Sequence, residues 1–423
     1  MRNRPRKPCG ADHARCSAGG AVITSLALAI GTLISCATAK TKAQNIESVV
    51  ASVSERLGKQ PFVIGPVSGE LRKFRMLTAK GASLDLGRAM GMMGIEVGAP
   101  FPEVLAQNRE NNAATIALYR EIYPAYIERL TGIAEAYGRK LEDLDVVFIE
   151  GKYVSRIWED TYGVLSPAEQ IPFPSCSGIG VQASDGRTVV GRNLDDKNRT
   201  YFLVRSEVEG SYKSMSTSHA AFHEWVLDGM NEKGLFIGEM TIGDPAYGGN
   251  LWNAYPQRPS VLWNHMMRVT IDTCADVEQA ITLFKRVPVW FPDELVHFFV
   301  ADASGDFAVI EYGKDRQISV TRNKGGVLVS MNTALMEGRE SLMRDWRYAY
   351  ADKYIAEHGA DGIATHASMA ELMKRISIRE DNPVVPAIIG IRATVWTSTY
   401  DLMERTMVIR YWEDRYKEHR LAF

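Results

Sequence analysis

A short hairpin beginning at Cys176 constrains this chain more than any other stretch. It runs Pro174-Ser175-Cys176-Ser177-Gly178, then the apolar Ile179-Gly180-Val181, the polar turn Ser184-Asp185-Gly186-Arg187, the pair Val189-Val190 and Gly191-Arg192-Asn193-Leu194-Asp195. Two short strands joined by an Asp-Gly turn fold back on each other. Arg192 and Asp195, 16 and 19 residues beyond Cys176, therefore return beside the cysteine. A cation that favours thiolate and a carboxylate that orients the proton acceptor are what a sulfur nucleophile requires.

The rest of the chain agrees with an enzyme. It has 423 residues, 46% of them hydrophobic, enough for a sizeable core. A net charge of −2 offers no basic surface for nucleic acid. No internal repeat or low-complexity tract interrupts it.

Residues 1–39 read as an export signal. Arg2, Arg4, Arg6, Lys7 and Arg15 precede a mostly apolar stretch, Ala21 to Ile34, which is shorter than the ~20 residues of a membrane-spanning helix. Two exits compete. Leu33-Ile34-Ser35-Cys36 looks like a bacterial lipoprotein box, with Cys36 as the lipidated residue, and Ala37-Thr38-Ala39 suits an ordinary signal peptidase. An uncleaved anchor is the third outcome. The expected location is outside the cytoplasm, periplasmic or lipid-anchored, with membrane contact only through the signal or the lipid. Losing the segment removes five basic residues and one acid, taking the charge from −2 to −6. Only Cys176 and Cys274 then remain well inside the body, and Cys274 reads as a small buried residue at the head of a helix rather than a disulfide partner.

Apolar periodicity predicts helices over 45–58, 83–95, 112–137 and 141–157, and a Pro- and Gly-rich linker over 159–175. Beyond Cys176, strands are predicted at 177–183, 188–192, 200–206, 234–241, 296–301, 307–313, 316–321, 326–331, 393–399 and 405–412. Helices are predicted at 260–271, 275–286, 340–357 and 368–376. Strand runs separated by helix pairs fit a layered α+β fold.

At these residues the chain resembles the N-terminal-nucleophile (Ntn) hydrolases of the choloylglycine hydrolase, or linear amide, superfamily. The resemblance rests on Cys176 with Gly191-Arg192-Asn193-Leu194-Asp195, on Asp228-Gly229-Met230-Asn231-Glu232-Lys233-Gly234-Leu235, on His297-Phe298-Phe299-Val300-Ala301-Asp302 and on Val329-Ser330-Met331-Asn332-Thr333. Upstream, Leu86-Gly87-Arg88-Ala89-Met90-Gly91 and Tyr123-Pro124 through Ile133-Ala134 are similar to the acyl-coenzyme A:6-aminopenicillanic acid acyltransferase-like branch. It implies an αββα sandwich of two stacked antiparallel sheets covered by helices. Residues 40–175 would be a helical pro-segment or small subunit, and 176–423 the catalytic domain.

The resemblance also implies a mechanism. Cys176 attacks the Ser175 carbonyl, the Ser175–Cys176 bond breaks, and the new α-amine, titrating near ~8 when unperturbed, serves as base for its own thiol. Asp195 holds that amine, Arg192 favours thiolate, and the Asn332 side-chain amide donates to the developing oxyanion. Thr241 stands where bile salt hydrolases carry an asparagine, so the second donor is expected from a backbone amide at Met240 or Thr241. Arg344 is the expected distal arginine, with Arg339 and Arg347 as rivals.

No cofactor or metal is called for. His219 and His223 are four apart without a third ligand nearby, and His297 reads as buried structure rather than a papain-like base for Cys176. Trp225, Trp252, Tyr255, Trp263, Trp290 and Phe291 are expected in the core or lining an acyl pocket. The activity so implied is hydrolysis of a small-molecule N-acyl amide through a Cys176 thioester. The alternatives are acyl transfer to an amine, and a catalytically silent binding lipoprotein of the same fold; a homo-oligomer is open.

Overall fold

The computed structural model describes residues 48–66, 74–96, 98–147, 149, 176–196, 201–218, 223–242, 256–291, 295–313, 317–379, 393–412 and 416–423. The export segment, the linker before Cys176, Trp252 and Tyr255 lie outside the described residues.

The strands are, in chain order, β1 (Phe62–Pro66), β2 (Phe74–Gly81), β3 (Ser177–Gln182), β4 (Thr188–Asp196), β5 (Tyr201–Val208), β6 (Ser214–Ser218), β7 (Asp228–Asn231) and β8 (Phe236–Thr241). There follow β9 (Val261–Leu262), β10 (Val289–Trp290), β11 (Val296–Ala301), β12 (Asp306–Tyr312), β13 (Ile318–Lys324), β14 (Val327–Ser330), β15 (Ala393–Asp401), β16 (Thr406–Tyr411) and β17 (Lys417–Ala422). They form a nine-stranded sheet, β1-β2-β5-β6-β7-β8-β11-β12-β13, and a six-stranded sheet, β14-β3-β4-β15-β16-β17, with β9 and β10 as a small separate pair.

Three apolar clusters define four layers. Val190, Leu194, Trp396 and Ile409 of the six-stranded sheet face Leu203, Met230, Met240 and Phe299 of the nine-stranded sheet. The outer face of the nine-stranded sheet (Phe202, Ile237, Phe298, Val300) carries helices Ser83–Glu96, Arg109–Ile122, Trp263–Thr273 and Val277–Arg286. The outer face of the six-stranded sheet (Ile179, Val181, Val189) carries helices Trp346–Ile363 and His366–Arg375. The fold is therefore an αββα sandwich. Side chains alternate between faces along each strand, and with both faces covered, Val296–Ala301 is buried at every position.

The β3–β4 hairpin forms as the Asp-Gly turn predicts. Ser177 pairs with Asn193 and Gln182 with Thr188, and Gly186 has φ +87°, a left-handed conformation that glycine adopts without strain. On the inner face of β3, a Cβ at Gly180 would lie 2.7 Å from Phe307 ring carbons and 3.0 Å from Phe299. Glycine there lets the sheets close behind the cysteine.

The segment before Cys176 is less helical than its sequence suggests. It supplies β1 and β2, and β2 pairs in parallel with β5 from Phe74↔Tyr201 to Gly81↔Val208, the one parallel pair in an otherwise antiparallel sheet. The predicted helix over 112–137 is two, Arg109–Ile122 and Pro124–Ala136, because Pro124 starts a new first turn. Of the predicted helix over 141–157, Leu141–Asp143 is instead a short 3-10 turn, while Ile149 is helical. After that turn Leu144 is extended and bridges to Glu103, with Asn112 donating to the Leu144 carbonyl and accepting from the Val146 amide (2.8 and 2.9 Å). The upstream glycine motif has a packing cause: a Cβ at Gly87 would overlap the Arg129 carbonyl and one at Gly132 the Leu84 carbonyl, so these helices meet backbone to backbone.

Candidate active site

Cys176 immediately precedes β3, and its side chain enters the layer between the sheets. The hairpin register sets Gly178 opposite Arg192. Arg192 Nη2 lies 3.8 Å from Cys176 Sγ, donates to the Glu239 carbonyl at 2.7 Å and pairs with Glu239 Oε1 at 2.9 Å. Asp228 lies 4.0 Å from Arg192 Nη1, and Asp228 itself accepts from Ser398 at 2.7 Å. Burial opposes the Arg192 charge, and the neighbouring Asp228 and Glu239 carboxyls support it.

Burial also pushes the Cys176 thiol up to about 12, against the pull of Arg192 and with Glu239 and Asp195 adding to the rise. The sulfur is thus a thiol, beside a cation that favours its ionised form. Glu239 is raised by burial and lowered by Arg192.

The backbone of Cys176 is held as firmly as its sulfur. Its N–H donates to Asn332 Oδ1 at 2.7 Å, while Asn332 Nδ2 donates to the Thr241 carbonyl at 2.7 Å. Arg347 Nη1 donates to the Cys176 carbonyl at 3.2 Å and lies 3.5 Å from Asp195 Oδ2; its Nη2 donates to Asn332 Oδ1 at 3.0 Å. Asp345 orients Arg347 through contacts of 3.0 and 2.6 Å. Asp195 also accepts from the Thr394 hydroxyl, its register partner on β15. Burial raises the Asp195 carboxyl to about 7, against Arg347 and Thr394.

Cys176, Arg192, Asp195 and Asn332 therefore converge, and two expectations need correction. Arg344 is remote: its side chain is 75% exposed and pairs with Glu340. Arg347 takes its place, because the predicted helix over 340–357 breaks after Leu342 and restarts at Trp346, with Asp345 as N-cap. The single peptide hydrogen of the Cys176 nitrogen goes to Asn332 Oδ1. From Thr241 the carbonyl, not the amide, faces Asn332, and Met240 is the ladder partner of His297. Ser175 and Cys36 lie outside the described residues.

Several contributors went unread. The Glu239 carboxylate follows from its place on β8 facing β4, a cross-sheet relation no local pattern carries. Asp228 stood in a quoted motif without a role. Thr394 has no sequence signal.

A Cys176–His297 pair does not form. His297 lies 3.0 Å from Glu311 Oε1 through Nδ1 and 2.6 Å from the Met331 carbonyl through Nε2. Cys274 is a free buried cysteine in the outer layer, on the opposite face of the nine-stranded sheet from Cys176; it follows helix Trp263–Thr273 as its C-cap rather than opening the next one. Trp263 and Phe291 are in the outer core, with Trp225 and Trp290 packed at its edge. His219 lies outside the described residues. Among the described residues there is no group of three or more His, Cys, Asp or Glu placed to hold a metal, and no helix long and apolar enough to cross a membrane.

Two stacked sheets between helical layers, with a cysteine at the head of an inner strand, make up the sandwich of the choloylglycine hydrolase-like Ntn class. A model of the acyl-coenzyme A:6-aminopenicillanic acid acyl-transferase family matches residues 181–415, more than half of the chain, and the chain belongs to that family. The bile salt hydrolase/transferase of Clostridium perfringens (strain 13 / Type A) is 22% identical over 202 residues, covering 43% of this chain and 57% of that protein. An uncharacterized protein of Paramecium bursaria Chlorella virus 1 is 28% identical over 162 residues, covering 37% and 56%. The chain thus spans a little over half the length of these curated relatives. The solved penicillin V acylase from Agrobacterium tumefaciens is similar at 17% identity and a TM-score of 0.44, covering 56% of this chain and 83% of that one.

Proposed function

We propose that the protein is an exported, self-processing cysteine amidase that hydrolyses a linear carbon–nitrogen amide of an N-acyl substrate. The observation that carries this reading is the convergence on Cys176 of Arg192 at the sulfur and of Asn332, Arg347 and Asp195 around its backbone.

In self-processing the Cys176 sulfur bonds to the Ser175 carbonyl carbon. The Ser175–Cys176 amide bond breaks, and its nitrogen takes the thiol proton. Water then hydrolyses the resulting thioester, leaving a Ser175 carboxylate, a free thiol and an α-amine. Cleavage removes the linker from the nitrogen, and Asn332 and Asp195 stand ready to hold the new amine as the thiol's base. In turnover the thiolate attacks the acyl carbon and the leaving amine takes the proton back from the α-ammonium. The same amine then deprotonates the water that releases the acid. Arg192 stabilises the thiolate throughout.

Acyl transfer is the second reading, favoured by the family's description and by the hydrolase/transferase name of one relative. In it, an amine replaces water at the thioester. Export argues for water, since coenzyme A is scarce outside the cytoplasm.

Intact mass and Edman sequencing of the purified protein test the self-processing step. A fragment beginning Cys-Ser-Gly-Ile-Gly is expected, and an active enzyme that remains a single chain would overturn it. A panel of N-acyl amino acids, N-acyl homoserine lactones, penicillins and conjugated bile salts, with and without an added amine, separates hydrolysis from transfer. An inactive protein across that panel would favour the binding lipoprotein.

A further inference from the structure

Asn332 stands where the chain crosses between sheets. Strand β14 ends at Ser330 in the six-stranded sheet, and the next residues are seized by side chains of the nine-stranded sheet. His297 on β11 takes the Met331 carbonyl at 2.6 Å through Nε2 and faces Glu311 Oε1 at 3.0 Å through Nδ1. Glu311 on β12 accepts from the Leu335 amide at 2.6 Å and the Met336 amide at 2.9 Å. Both side chains are fully buried, and the crossing residues 331–336 thus have three backbone groups tied to one pair.

The hydrogen bonds around that pair favour one state. A carbonyl only accepts, so His297 Nε2 carries a hydrogen. Glu311 accepts from two backbone amides, which favours its ionised form, and an ionised Glu311 accepts a hydrogen bond from the Nδ1 that faces it. In that state the ring is an imidazolium facing a carboxylate.

We propose that the His297 imidazolium and the Glu311 carboxylate are positioning residues that set Asn332 against Cys176. This rests on the reading of Cys176 as nucleophile. Asn332 is tethered through its neighbour Met331 on one side and through Leu335 and Met336 on the other. Between those tethers its side chain spans from Thr241 on the nine-stranded sheet to the Cys176 nitrogen, 2.7 Å to each. Neutralising the pair frees the crossing segment, and Asn332 drifts from the nucleophile. A misplacement of about 1 Å is enough to slow such chemistry by up to about a hundredfold.

The test begins with the unaltered full chain labelled with 15N-histidine, so that it does not depend on a variant folding. His297, assigned through Overhauser contacts to Met331 and Leu335, is expected to be protonated on both nitrogens; a neutral ring overturns the proposal. Glu311→Gln and His297→Gln are then compared with wild type for turnover, Tm and the Asn332 side-chain amide resonances. The expected result is a kcat loss approaching a hundredfold per folded molecule, KM within about twofold, and shifted Asn332 resonances. Folded variants with unchanged kcat and unmoved Asn332 resonances would show that the pair serves stability alone and overturn the proposal. If wild type itself turns over no amide, the nucleophile reading fails separately, while the ring protonation and the Asn332 resonances still decide the positioning claim.

Discussion

At the scale of single residues, Cys176 is held as an un-ionised thiol beside Arg192. Burial outweighs Arg192 at the sulfur, so on the proposed function the rate of self-cleavage would depend on groups that reach Cys176 through its backbone. Cys176→Ala is expected to abolish both cleavage and turnover, seen as a single uncut mass with no product. Arg347→Ala removes donors to the Cys176 carbonyl and Asn332 and should slow cleavage sharply, whereas Arg344→Ala should leave the time course unchanged; equal effects would refute the assignment of Arg347. Asp195 gives a pH signature. Its folded carboxyl titrates near about 7, above the unfolded value of ~3.9, so folding favours the protonated form. Its contribution is present in full below about 4 and lost as pH rises through about 7. In a Cys176→Ala background, stability should fall across that window, and Asp195→Asn should flatten the curve. Per cleaved molecule, Asp195→Asn should also lower turnover by about two to four orders of magnitude, the usual range for a positioned proton-transfer group.

At the scale of elements, what the sequence revealed depended on how local the cause was. The β3–β4 hairpin was legible because its turn, apolar runs and register are all written within twenty residues. The helices around 83–95, 263–273 and 277–286 carried their own periodicity. β6 was not legible: Ser214-Met215-Ser216-Thr217-Ser218 reads as polar loop until Arg268 is seen donating to Ser214 and Ser216 at 3.0 and 3.1 Å across the sheet face. β2 was hidden for the same reason, since its partner β5 lies more than a hundred residues away. Of the site, the cysteine, arginine and aspartate sit on one hairpin and were readable; Glu239, Thr394 and Arg347 arrive from distant elements and were not, or were misplaced by one helical turn. Glycine positions test the packing side of this account. Gly180→Ala drives a methyl into the Phe307 ring between the sheets and should destabilise by roughly 1–3 kcal/mol, as overpacking does. Calorimetry on the uncut Cys176→Ala chain measures it free of cleavage, and an unchanged melting temperature would mean the sheets are looser there than the geometry says.

At the scale of the whole molecule, a cut at Ser175–Cys176 would sever the chain without separating its parts. The upstream part contributes β1 and β2 to the nine-stranded sheet and helices Ser83–Glu96, Arg109–Ile122 and Pro124–Ala136 to its outer layer. A buried polar joint crosses between the parts. Arg129 from helix Pro124–Ala136 pairs with Glu224 and donates to His223 Nδ1 at 2.7 Å and to the Tyr123 hydroxyl at 2.8 Å. Tyr123 donates in turn to Asp272, which Arg268 grips at 3.0 Å. His265 lies 3.0 Å from the Tyr119 hydroxyl. Burial keeps His223 and His265 down at about 4 and about 3, with the neighbouring arginines adding to the effect, so both rings are neutral in the folded joint. Folded values below the unfolded ~6.5 mean that their contribution is present above that pH and lost as pH falls through about 4. The cleaved protein should therefore elute as one species near neutral pH, resolve into two only in denaturant, and loosen in acid. Arg129→Met leaves Glu224 as an uncompensated buried charge, which typically destabilises by about 3–5 kcal/mol. That loss should appear as earlier fragment separation on a denaturant series followed by size-exclusion chromatography. A fragment 176–423 that survives alone with the melting temperature of the cleaved pair would refute the joint as a structural necessity, and the upstream segment would then be a passenger rather than a layer of the fold.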